Sequence, residues 1–156
     1  MIRKGVFSLI ALALFVSCST PAKTQREAPP MLEFRPEAAE DEYEDIGVTV
    51  QQFMGENVHL LPPKRFLIED AKTTDIGSGR LGVAFAVYPE QRDDFPIWTG
   101  QQAGRRVAIM HKGRILSMPV MNVALPGEGV ISGGRSGFSE AEAKKLAEAL
   151  SRDPGR

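Results

Sequence analysis

Ser139 and Glu142 stand three residues apart, immediately ahead of an apolar stripe made by Ala143, Leu146, Ala147 and Leu150. The S-x-x-E pair is a capping box that satisfies free amides at a helix start, and Phe138 is placed to staple against Ala143. Glu140 and Lys144 form a supporting pair on the wet side, and Pro154-Gly155 ends the element. A helix with one apolar stripe must bury it against another layer. The upstream sequence supplies strands for that layer. Leu81, Val83, Phe85 and Val87 alternate on one face. Val48 to Gln52 and Val58 to Leu61 are β-like, and Pro62-Pro63 closes the second. Phe66-Leu67-Ile68 renews the apolar pattern, and a further short strand is expected over 129–132. A helical piece lies between Pro89 and Gln102; Pro96 cannot sit deep in a regular helix, so it starts near Phe95 or kinks there. The order predicts an α+β fold, a small antiparallel or mixed β-sheet with two helices packed on one face.

The N-terminus carries a different message. Arg3 and Lys4 precede an unbroken apolar or small run from Gly5 to Ser17. That run is shorter than the ~20 residues a membrane-crossing helix needs, and a charged start with a short apolar core is the pattern of an export signal. It ends in Phe15-Val16-Ser17-Cys18, with the single cysteine of the chain last. The segment resembles the lipobox of bacterial lipoproteins, with Phe15 where Leu is usual. That resemblance implies acylation at Cys18 and attachment to a membrane by lipid without spanning it. Ser19, not Asp, then favours the outer membrane over the inner, with the protein facing the periplasm.

Residues 19–30, STPAKTQREAPP, hold no large apolar side chain and cannot bury enough surface to offset ordering. The organisation expected is therefore a signal peptide over 1–17, a flexible tether over 18–30, an N-terminal strand and acidic loop region over 31–63, and an α+β domain over 64–152. Met31 to Arg35 alternates like one strand, and the acidic run from Glu37 to Asp45 reads as a solvated loop. Of 19 basic and 20 acidic residues, Arg3 and Lys4 leave with the signal, so the mature chain is acidic by about three charges. No basic face of the kind nucleic acids require is visible.

Chemistry-bearing motifs are few. Gly77 to Gly82 matches G-x-G-x-x-G, but a β-like run comes next where a dinucleotide loop needs a helix, so it reads as a hairpin turn. Gly133 to Gly137 precedes the last helix without a lysine at P-loop spacing. The two histidines, His59 and His111, have no metal-ligand partner at usable spacing, and no serine sits in a nucleophile elbow. The expectation is no catalytic residues, no metal and no cofactor. The stretch AIMHKGRILSMPVM, residues 108–121, is instead a hairpin with Lys112-Gly113 at its tip. Met110, Met118 and Met121 supply adaptable apolar contacts, and Pro119, lacking an amide hydrogen, points to an edge strand or bulge. An edge can accept an added peptide strand. Met110, His111, Lys112, Arg114, Met118 and Met121 are therefore the expected partner-binding residues.

Residues 104–121, GRRVAIMHKGRILSMPVM, are similar to a recurrent segment of the protein-export subunit SecD, approximately G-K-R-L-A-I-V-L-D-G-K-V-I-S-A-P-V-I. Gly129 to Gly134 and Phe138 to Ala147 resemble its Q-I-T-G-x-F-T-x-E-E-A-K-x-L-A, and Leu32-Glu33-Phe34-Arg35 matches its L-E-F-R strand. The resemblance implies the extracytoplasmic head of SecD, which holds or guides polypeptide emerging from the translocation channel. His111-Lys112 replaces Leu-Asp at the turn, and Arg135-Ser136-Gly137 is inserted. The resemblance implies a non-enzymatic, SecD-head-like binding module for extended polypeptide or export and envelope proteins, with its oligomeric state open. The alternative is a structural envelope lipoprotein that makes contact through the acidic stretch.

Overall fold

The computed structural model describes residues 29–151. The signal, Cys18, the tether up to residue 28 and Pro154-Gly155 lie outside the described residues. Eight strands and two α-helices occur in this order: β1 (Met31–Pro36), β2 (Thr49–Phe53), β3 (Glu56–Leu60), β4 (Lys64–Asp75), β5 (Leu81–Val87), α1 (Asp94–Gln101), β6 (Val107–His111), β7 (Arg114–Ser117), β8 (Glu128–Ile131) and α2 (Glu140–Leu150). Six strands form one sheet in the order β7-β6-β1-β4-β5-β8, and every neighbouring pair is antiparallel. The fold is α+β, as the pattern predicts.

The main core lies between this sheet and both helices. Leu32, Phe34, Phe66, Ile68, Val83, Phe85 and Val87 point into it from the centre of the sheet. Phe34 lies edge-on to Phe66 at 5.7 Å and to Phe95 of α1 at 5.5 Å, and Phe66 meets Phe95 at 4.8 Å. Edge-to-face contacts of this kind add about 0.5–1.5 kcal/mol beyond burial. The capping box forms as expected: Glu142 accepts from the Ser139 amide at 3.0 Å, and the Ser139 hydroxyl accepts from the Glu142 amide. Ala143, Leu146, Ala147 and Leu150 face the sheet. Helix α1 starts at Asp94, which leaves Pro96 in the first turn where no intrahelical amide bond is lost.

Two features depart from the expected organisation. β1 is not a leader to a later domain: it lies inside the sheet, paired with β4 on one side and β6 on the other. Of residues 31–63, β1 therefore shares one sheet with the strands after residue 63. The hairpin β2–β3 forms a separate two-stranded sheet that pads the face opposite the helices. There Val58 and Leu60 pack on Ala108, Met110 and Ile115 in a second, smaller core. Arg35 ties the pad down, donating to the carbonyls of Leu61 at 2.7 Å and Leu60 at 3.2 Å. Its burial lowers the guanidinium pKa from its ordinary value, because the charged form is harder to hold away from water.

The acidic loop is also less free than a solvated run. Glu42 receives both guanidinium nitrogens of Arg105, at 2.9 and 3.1 Å, and Glu37 receives Arg106 at 3.2 Å. Tyr43 stacks on His59 with ring centres 3.8 Å apart. Glu40, Asp41, Glu44 and Asp45 remain exposed.

Candidate functional site

The hairpin formed by β6 and β7 turns at Lys112 (φ 49°) and Gly113 (φ 76°). Both central residues are left-handed, the requirement of a type I′ turn, which suits the twist of antiparallel strands. His111 pairs with Arg114 across it. β6 is buried on both faces: Val107 and Ile109 belong to the main core, Ala108 and Met110 to the second. This explains why Val107 to Met110 is continuously apolar rather than alternating.

Burial sorts the six residues expected to meet a partner. Met110 is 1% exposed and Met121 4% exposed, so both are core residues that fix the hairpin from within. Lys112 and Arg114 are exposed, and His111 and Met118 are half-buried. The His111 Nδ1 lies 3.1 Å from the Met31 carbonyl oxygen.

β7 is an edge strand, as Pro119 predicts. Pro119 lies just past its end and uses its carbonyl, which accepts from the Val107 amide at 2.9 Å. The edge is short and partly shielded. The Ser117 hydroxyl, at the end of β7, lies 3.2 Å from that of Ser132, just past β8. These belong to opposite ends of the strand order, so the sheet curls until its two edges meet.

Where they meet is a cleft of about 420 Å³, open between the tip of β2–β3, the end of β7 and the loop after β8. Phe53, Met54 and Met118 give it an apolar wall, and Arg135, Glu56 and the Glu37-paired Arg106 give it charge. Met54 is 60% exposed and sits with Gly55 at left-handed φ values of 52° and 87°, which makes the two-residue turn of β2–β3 the same kind as Lys112-Gly113. Sequence patterning points to Met118 here but misses Phe53 and Met54, because they arrive from a separate hairpin. Arg135 belongs to the inserted residues 135–137. The hydroxyls of Ser117 and Ser132 and the carboxylate of Glu56 complete the lining. Gly77 to Arg80 lie in the β4–β5 turn, and Leu81-Gly82 already open β5, so a strand and not a helix follows the motif. Among the described residues, no group of three His, Cys, Asp or Glu side chains gathers to hold a metal, and no helix is long and apolar enough to cross a membrane.

A family profile described as SecDF, P1 head subdomain, matches residues 67–153. Two solved structures are similar. SecDF in its super-membrane-facing form is 26% identical with a TM-score of 0.57, over 78% of this chain and 18% of its own. A structure described as a membrane component SecDF that enhances protein export is 25% identical with a TM-score of 0.55, over 78% of this chain and 62% of its own. The chain thus spans less than two thirds of either. No curated protein matches it by sequence.

Proposed function

The chain belongs to the SecDF P1 head subdomain family, and from that premise we propose that it is a lipid-anchored, non-enzymatic binding module for extended polypeptide in the bacterial cell envelope. Acylation at Cys18 holds it to a membrane, the outer in preference to the inner, with the domain in the periplasm. The observation that carries the binding reading is the cleft at the end of β7. Methionine walls accommodate varied apolar side chains because the thioether is unbranched and polarisable. Arg106 and Arg135 beside them can meet backbone carbonyls or acidic residues of a passing chain. Polypeptide binding therefore concentrates on Met118, Met54 and Phe53, with Met110 and Met121 supporting from inside, while Arg114, Lys112 and His111 meet a partner on the other side of the hairpin.

The test is site-specific photo-crosslinking during export, with the probe at Met118 and, as a reference, at exposed Lys72 on β4. Polypeptide adducts should form severalfold more at 118 than at 72. Solvent-quenched product alone at 118 would end the polypeptide reading.

One observation favours the scaffold alternative. Four carboxylates of the acidic loop, Glu40, Asp41, Glu44 and Asp45, stay exposed while their neighbours are tied to arginines. Neutralising those four to amides leaves Glu37 and Glu42 in place and keeps the fold. Loss of partner capture by that variant, with crosslinking at 118 unchanged, favours the scaffold.

A further inference from the structure

The β6–β7 hairpin borders a second hollow, on the helix face, of about 390 Å³ between the hairpin and α2. Leu116, Phe138 and Leu146 form its apolar floor, and Lys112, Arg114 and Lys145 stand on its rim. The three cations are exposed, and among the described residues none closes an ion pair. The rim's one carboxylate, Glu142, accepts from the Ser139 amide at 3.0 Å and hydroxyl at 2.7 Å and offsets one of the three cations, Arg114 being the one that acts on it. The hollow therefore presents surplus positive charge over an apolar base, inside a chain that is acidic as a whole.

Two further observations say what such a hollow meets. The first is where the chain comes in. Met31, which opens β1, contacts the hollow's own His111 through its carbonyl. Residues 19–30 reach at most roughly 40 Å when fully extended, so an acylated Cys18 keeps this rim close to a bilayer. The second is His111. A carbonyl only accepts, so Nδ1 carries the proton shared with Met31, and Nε2 is left buried without a hydrogen-bond partner. A buried polar atom without a partner is costly to the fold.

We propose that this hollow docks the domain on the membrane by taking the headgroup of an anionic phospholipid. Lys112, Arg114 and Lys145 surround the phosphate, and Leu116, Phe138 and Leu146 lie under the glycerol. The proposal rests on the Cys18 anchor described above, which raises the local lipid concentration enough for a small site to stay filled. Docked this way, the domain turns its Met118 cleft, on the hairpin face, away from the bilayer.

The test compares the full chain with excess vesicles of phosphatidylcholine and with vesicles of equal parts phosphatidylcholine and phosphatidylglycerol. Amine acetylation is read residue by residue. Lys112 and Lys145 should be labelled about fivefold more slowly on the anionic vesicles, the factor matching ~1 kcal/mol per cation at an anionic surface, while Lys72 is unchanged. The double variant Arg114→Glu, Lys145→Glu should lose the protection at Lys112. Equal labelling of Lys112 on the two vesicles overturns the proposal, as does equal protection by inorganic phosphate alone. Excess vesicles make the readout independent of acylation. The mass of the N-terminal peptide from native membranes tests the anchor separately, so either idea can fail without the other.

Discussion

The two faces of the six-stranded sheet are built by different means. On the helix face, a cluster of phenylalanines and two helices bury a broad apolar layer, and the cap on α2 is satisfied locally by Ser139 and Glu142. On the other face, five buried residues and one arginine hold a short hairpin in place. The first face is a core that defines the fold. The second is a lid whose position depends on few groups, and its tip supplies Phe53 and Met54 to the cleft. Function, on this reading, sits beside the less heavily packed face, as expected where binding surfaces are drawn from regions of lower local stability.

The comparison breaks most decisively at Phe34. Phe34→Ala removes a fully buried ring touching four other aromatic residues and should cost about 3–5 kcal/mol, read as a lost or sharply lowered denaturant midpoint. Leu60→Ala, in the second core, should cost about 2–3 kcal/mol, the lower part of the usual range. Hydrogen exchange should then rise in β2 and β3 with little change in β4 and β5. Uniform acceleration across all strands would show that the pad and the main core unfold as one unit.

The smallest effect is on acid stability, and each face contributes to it. Arg105 holds the Glu42 carboxyl below its ordinary pKa, and the Ser139 cap does the same for Glu142. A carboxylate depressed in the folded state adds stability above its unfolded value, near ~4.3, and loses it as pH falls through the folded value. Glu42→Gln should therefore lower the melting temperature at pH 7 and match the parent once the parent's Glu42 carboxyl is protonated. A gap that persists at low pH would assign the loss to shape and not to charge.

The helix face was legible because its signals are local. A capping box, a stripe at helical spacing and a period-2 run each lie within about a dozen residues, and α2, β5 and the Lys112-Gly113 turn all appear where those signals put them. The hairpin face was not legible, since β1 reaches β6 across the length of the domain and β2–β3 returns onto a strand it does not neighbour in sequence. One signal did point there. The unbroken apolar run from Val107 to Met110 requires cover on both sides, and a single layer of helices supplies only one. The methionines misled for a related reason: residue type gives adaptability, while burial decides whether it is used inside or outside. Met110 and Met121 fall inside; Met118 and Met54 do not.

The meeting of Ser117 and Ser132 also bears on crowding. Protein tethered to a membrane is concentrated into two dimensions, where copies with a long, flat strand edge extend one another into fibres. Here the sheet presents its two ends to each other, so neither is a flat template for the next copy. What lies where the two edges meet is a notch walled by Phe53, Met54 and Met118 in place of an open strand.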